Sequence, residues 1–189
     1  WDRCWRQPGQ SPQATPKPWL VALLLVFSCL VAVALLGASL RALSCIPLTG
    51  GDYPVRAIGL IGASVPKGNL AIHFNWGEYA IWHLGPRIRV SVDGRRETVY
   101  SDEIYRENLC FTSGAGAWDA LLEAHDTDLA LVQRTGPTYN LLMLKPGWVM
   151  VYQDPLSALF VPQDSPLRKR IKATPPPAVA YDGGGECFP

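Results

Sequence analysis

From Pro18 to Leu40 the chain runs without a single charged residue and consists mostly of Leu, Val and Ala. An α-helix rises about 1.5 Å per residue and the hydrocarbon core of a bilayer is about 30 Å thick, so about 20 such residues cross it. The run is long enough to do so, and its extension to Leu43 is the expected transmembrane helix. A secretory signal peptide is the competing reading, because basic residues precede the run. Signal cores are only about 7–15 residues long, which favours a retained anchor. Leu43-Ser44-Cys45 has some likeness to a lipoprotein cleavage box, but Ala42 stands where Leu is wanted and Arg41 interrupts the approach.

The anchor divides the chain. Residues 1–17 are a Pro- and Gln-rich juxtamembrane arm carrying Arg3, Arg6 and Lys17. Arg41 and Arg56 lie on the far side, so the basic bias is slight and favours an arm in the cytoplasm. The expected location is the inner membrane, single-pass, with the C-terminal domain on the periplasmic side. Trp1 in the first position is what a fragment or a processed product shows. The 189 residues include 17 Lys+Arg and 16 Asp+Glu, which leaves no basic footprint for nucleic acid. The cysteines are scattered without a C-x-x-C pair, so zinc-ribbon and thioredoxin readings fail. Among Cys45, Cys110 and Cys187, one disulfide or free thiols are both open.

Residues 52–162 read as a single soluble domain, large enough to bury a core. Val55, Ile58 and Ile61 have helical spacing within Tyr53–Ser64, with Pro54 suited to a first turn. Leu70–Phe74, Ile88–Val92, Leu129–Val132, Trp148–Tyr152 and Ala158–Val161 read as strands. Helices are expected at Glu78–Leu84, from Ser101 to about Cys110, at Ala117–His125 and at Pro137–Leu144. Ser101 is a natural N-cap, with Asp102 and Glu103 favoured by the helix dipole. This order gives an α/β fold: a three-layer domain with a mostly parallel sheet, closed by a C-terminal β-hairpin that adds an antiparallel edge. Residues 163–189, with Leu167–Lys172 basic and then Pro175-Pro176-Pro177 and Gly183-Gly184-Gly185, read as a flexible tail.

Two stretches offer chemistry at strand ends, where open α/β sheets gather ligands. Asn75, Trp76, Glu78 and Tyr79 follow the first strand and present hydrogen-bonding groups and a ring face. In the competing structural reading Asn75 caps a helix whose aromatics wedge it onto the sheet. Asp93 and Arg95 follow the second strand; Asp93 suits a cation or a sugar hydroxyl, and Arg95 a phosphate. Alternatively, Asp93 and Arg95 satisfy each other in a turn, with Tyr100 or Glu78. On neighbouring parallel strands the two stretches would share one crevice. His73, His83 and His125 lack metal-ligand spacing, and no complete catalytic, metal or cofactor motif is found.

The run Asn75-Trp76-Gly77-Glu78-Tyr79-Ala80-Ile81-Trp82 resembles a known family, together with Asp93-Gly94-Arg95 and Val99-Tyr100-Ser101-Asp102. Thr127-Asp128-Leu129-Ala130-Leu131-Val132 and Gly147-Trp148-Val149-Met150-Val151-Tyr152 belong to the same likeness. Over Tyr53–Val161 the chain is similar to the C-terminal extracytoplasmic domain of bacterial membrane proteins related to GT-C-type glycosyltransferases. That is the class of the dolichyl-phosphate-mannose protein mannosyltransferases, and the anchor matches their last helix. A looser likeness is to the oligosaccharyltransferase catalytic subunit, whose Trp-Trp-Asp-Tyr-Gly motif helps bind acceptor peptide. Trp76 and Tyr79 stand in a comparable place, although Glu78 follows a glycine. The resemblance implies binding of an acceptor or a polyprenyl-phosphosugar. It does not supply the catalytic acids, which in GT-C enzymes lie near the first spans. A chain without them is expected to be non-catalytic by itself. A second expectation, of a different class, is a single-pass accessory or structural subunit of a larger membrane protein complex, of respiratory or photosynthetic type, packed against other membrane protein subunits.

Overall fold

A computed structural model describes residues 17–43, 46–47, 52–177 and 187–188. Helix α1 (Pro18–Leu43) belongs to one unit of the chain and the α/β domain to another. At about 1.5 Å per residue its 26 residues reach about 39 Å. Its apolar side chains point outward on every side; Leu24 is 65% exposed and Val33 68%. Ser28, a polar interruption, donates its hydroxyl to Leu24 O at 2.8 Å and so needs no external partner. The helix is long and apolar enough to cross a membrane.

The domain opens with α2 (Val55–Ser64) and β1 (Gly68–Ile72). A 3-10 turn (Phe74–Trp76) leads into α3 (Gly77–Leu84), followed by β2 (Ile88–Val90), α4 (Arg96–Val99), α5 (Asp102–Ser113) and α6 (Ala120–Ala124). Then come β3 (Leu129–Gln133), α7 (Pro137–Leu144), β4 (Trp148–Gln153), β5 (Ser157–Pro162) and α8 (Leu167–Ala173). The five strands form a mixed sheet in the order β2-β1-β3-β5-β4. β1 is parallel to both β2 and β3, with Leu70 opposite Val90 on one side and Leu129 on the other. β5 runs antiparallel to β3 and to β4.

Alternation sorts the strand residues onto two faces. Ala71, Ala130, Val132, Ala158 and Phe160 pack with Phe111 of α5, Leu121 and Leu122 of α6 and Leu142 of α7. Their neighbours Leu70, Ile72, Leu129, Leu131, Leu159 and Val161 are buried as well. α2 packs on α3 and α8, and α5 on α6 and α7. Both faces of the sheet are therefore apolar, which is why the strands read as continuous hydrophobic runs.

Local chemistry explains most element ends. Ser101 Oγ accepts from Ile104 N and caps α5, and Pro137 occupies the first turn of α7. Gly114 ends α5 in the left-handed conformation at φ 64°, where a Cβ would lie 2.9 Å from Leu141 Cδ1. Gly114→Ala is expected to cost about 1–2 kcal/mol, read as a lowered Tm. The β4–β5 turn is held by Asp154, whose Oδ1 accepts from Leu156 N at 2.9 Å and Ser157 N at 2.6 Å. Tyr152 donates its hydroxyl to Asp154 Oδ2 at 2.9 Å.

The structure corrects several expectations. The hairpin adds the expected antiparallel edge, with β5 beside β3 and β4 outermost, but it does not end the fold, because α8 follows. The first strand stops at Ile72, since His73 turns out to cap the 3-10 turn. The helix expected at Ala117 begins at Ala120, and α4 was not foreseen. The flexible-tail reading of 163–189 fails over α8, where Leu167 and Ile171 are buried and Lys169, Arg170 and Lys172 face water. The Gly-rich stretch 183–185 lies outside the described residues. So do the arm 1–16, Cys4 and Cys45, and the side chain of Cys187. Cys29 on α1 and Cys110 on α5 are free thiols, which removes Cys110 from the disulfide expectation.

Candidate functional site

The two motifs that follow β1 and β2 meet backbone to backbone. At the start of α3, Gly77 sits so close to the end of the second strand segment that a Cβ there would lie 2.0 Å from Val92 O and 2.9 Å from Asp93 Cα. On the other side, a Cβ on Gly94 would lie 1.9 Å from Glu78 Oε1. The expected convergence of the two stretches is therefore a direct packing contact between α3 and the loop after β2.

That contact divides the candidate residues by role. Trp76 is buried, and its Nε1 donates to Asp52 O at 2.9 Å, tying the entry of the domain to the start of α3. Tyr79 is buried between the rings of Tyr53 at 5.2 Å and His83 at 4.3 Å. Asn75 and Glu78 are exposed. Asn75 does not cap through its side chain; its backbone N donates to His73 Nδ1 at 3.3 Å.

Asp93 is the most enclosed charged residue of the group. Its side chain is 1% exposed, while that of Arg95 is 59% exposed. Arg95 Nε donates to Asp93 Oδ1 at 3.0 Å, and a terminal guanidinium nitrogen donates to Oδ2 at 2.8 Å. Arg95 N also donates to Oδ1 at 2.8 Å and the Tyr100 hydroxyl to Oδ2 at 2.7 Å. The bidentate pair matches guanidinium to carboxylate geometry. The turn thus satisfies itself with Tyr100, and a cation at Asp93 would displace bonds already made. The outward side of the Arg95 guanidinium still faces solvent.

The hydrogen bonds from Arg95, more than that from Tyr100, hold the Asp93 carboxyl at about 2, against 3.8 for an ordinary Asp, despite its burial. Burial, and then Asp93, push the Tyr100 hydroxyl up to about 12. A depressed carboxylate stabilises the fold above its unfolded pKa and loses that contribution as pH falls through the folded value. Domain stability is expected to decline between about pH 4 and pH 2. Asp93→Asn should remove that part of the acid sensitivity and cost about 2 kcal/mol near neutrality, checked by Tm against pH.

A second location, which the sequence did not reveal, lies where the strand connections diverge. The chain leaves β1 toward β2 on one side and leaves β3 toward β4, beyond β5, on the other. At such a switch point the carboxyl ends of two parallel strands leave a crevice. Here His73, Thr112, Gln133, Gly136 and Thr138 border a small crevice of about 20 Å³ opening to solvent, over Leu131 and Val132. His73 Nδ1 accepts from Asn75 N, which places the proton of the neutral ring on Nε2. Burial lowers the pKa of this ring, so it is neutral at pH 7. Thr138 donates its hydroxyl to Phe111 O. The crevice offers uncharged donors and acceptors. Asn75 and His73 are sequence neighbours, so this crevice and the exposed groups of the first motif adjoin.

Elsewhere, Lys145 bridges Asp119 at 2.7 Å and Glu123 at 2.9 Å, joining the end of α7 to α6. Among the described residues, no group of three His, Cys, Asp or Glu side chains is placed to hold a metal ion. No protein-family model matches the chain, and no curated protein or solved structure is significantly similar to it.

Proposed function

We propose that this chain is a membrane-anchored, extracytoplasmic α/β domain related to GT-C-type glycosyltransferases. In this reading it is non-catalytic by itself and binds an acceptor or a polyprenyl-phosphosugar. The single observation that carries the reading is the junction of the two motifs at the ends of β1 and β2. It leaves Asn75, Glu78 and the outer side of Arg95 facing solvent while Trp76, Tyr79 and Asp93 hold them in place. Amide, carboxylate and guanidinium groups together suit sugar hydroxyls beside a phosphate. The two helix groups, α2, α3 and α8 against α5, α6 and α7, support a three-layer arrangement. Helix α1 supports an inner-membrane anchor, and the slight basic bias of the arm favours a periplasmic head.

The test is binding of a polyprenyl-phosphosugar to the detergent-solubilised chain. The double variant Asn75→Ala/Glu78→Gln removes two exposed groups with no core contact and is expected to weaken binding at least ten-fold. Wild-type affinity in that variant, with unchanged Tm, discards the reading.

A second reading, a single-pass accessory subunit of a larger membrane complex, draws on the exposed apolar tip of α7. Met143 is 52% exposed and Leu144 81%. Co-purification in mild detergent with partner subunits, weakened by Leu144→Asp, supports it; a free monomer at native abundance ends it.

A further inference from the structure

The proline run that follows α8 has a place in the fold. Thr174 closes α8, with its N–H directed to Ile171 O at 3.2 Å and its hydroxyl to Arg170 O at 2.9 Å. Pro175 then stops the helix. Leu167 and Ile171 are buried and α8 packs on α2, so the exit of α8 runs beside α2, with Pro175 and Pro176 exposed. There Pro177 is half-buried and its ring lies against Gly59; a Cβ at Gly59 would approach Pro177 Cγ to 2.7 Å. The three atoms that this Cβ would meet first all belong to the Pro177 ring.

Beside this contact is a groove of about 200 Å³ between α2 and α3, bordered by Pro177 together with Gly59, Gly62, Tyr79 and His83. Its aromatic residues are Tyr79 and His83, whose ring centroids lie 4.3 Å apart. Two rings and two glycines in an otherwise aliphatic lining of Val55, Ile58 and Leu84 suit a pyrrolidine ring, which is rigid, apolar and already ordered. A mid-helix glycine costs about 1 kcal/mol relative to alanine. At position 59 the proline contact accounts for it.

We infer that the α2–α3 groove recognises proline and that its resident ligand is the chain's own Pro177, which straps the segment after α8 to the domain. Tethered at the end of α8, the segment has an effective concentration on the order of millimolar, so it excludes a free peptide of similar sequence. The groove shares Tyr79 with the support of the proposed binding site, but Asn75 and Glu78 are not in its lining, so the two readings are tested by different substitutions.

The test uses the full-length, detergent-solubilised chain and a fluorescent peptide with the sequence of residues 173–180. Wild type is expected to bind the peptide weakly. The variant Pro175→Ala/Pro176→Ala/Pro177→Ala vacates the groove and is expected to bind it at least ten-fold more tightly. Adding Gly59→Leu fills the groove and should abolish that gain, as should a peptide with its prolines changed to alanine. His83→Ala, an exposed change, provides a second route to the same loss if Gly59→Leu disturbs α2. Peptide binding no tighter to the triple-alanine variant than to wild type, with an unchanged circular dichroism spectrum, overturns the inference. So does a wild-type dimer that the peptide dissociates, because the segment would then sit in a second copy's groove.

Discussion

Gly77→Ala is expected to lower the stability of the α/β domain by about 3 kcal/mol or more, at the upper end of overpacking costs. The added methyl would lie 2.0 Å from Val92 O and 2.9 Å from both Val92 C and Asp93 Cα. All three are backbone atoms, and Asp93 beside them is fixed by four hydrogen bonds from Arg95 and Tyr100. Neither a rotamer change nor a small loop shift relieves the overlap, so α3 must lift from the end of β2. In a domain of this size that corresponds to a fall in Tm of about 10–15 °C. Gly94→Ala is the internal control. Its Cβ would lie 1.9 Å from Glu78 Oε1, nominally as severe, but that atom ends a flexible, exposed side chain that can swing into water. Gly94→Ala is expected to change stability by less than about 1 kcal/mol. Equal effects of the two substitutions would mean that α3 does not rest on the 92–93 backbone.

The contrast shows what was legible in the sequence and what was not. Turn and cap chemistry was legible: Ser101 before two acids, Pro137 opening a helix and Asp154-Pro155 between two strands each act within a few residues of themselves. The apolar strands were legible because both faces of the sheet are buried. Gly77 could be seen only as part of a motif, because its reason lies fifteen residues away, at Val92. The crevice at His73 and Gln133 was hidden for the same reason. It depends on β1 and β3 being neighbours, and strand order is not written in either strand. In α8 the four basic residues of Leu167–Lys172 dominate the pattern, and two apolar residues four apart are a thin signal against them. Leu167 and Ile171 nevertheless bury themselves, because the exposed charges cost nothing where they stand. Asp93 and Arg95 were legible as a pair, and the self-satisfied alternative describes their bonding; the exposure of Arg95 keeps it in the candidate site.

Trp76 gives the second large effect, and it separates a structural role from a binding one. Trp76→Ala is expected to destabilise the domain by about 3–5 kcal/mol, because it empties a fully enclosed indole site that partial collapse cannot refill. It also removes the hydrogen bond from Nε1 to Asp52 O, although that carbonyl belongs to an exposed residue and can turn to water. A loss of ligand binding in this variant would therefore be ambiguous, since α3 carries Glu78 and would be displaced with it. Trp76→Phe resolves the ambiguity. It keeps a ring against His73, whose centroid lies 5.7 Å away, and is expected to cost only about 1–2 kcal/mol. If Trp76 serves as packing, the Phe variant should bind a polyprenyl-phosphosugar within about two-fold of wild type while its Tm falls by a few degrees. If the indole itself met the ligand, affinity would drop ten-fold or more with the same small fall in Tm. The burial of Trp76 at 2% favours the first outcome: a side chain sealed beneath α3 reaches a ligand only through the exposed residues it holds in place.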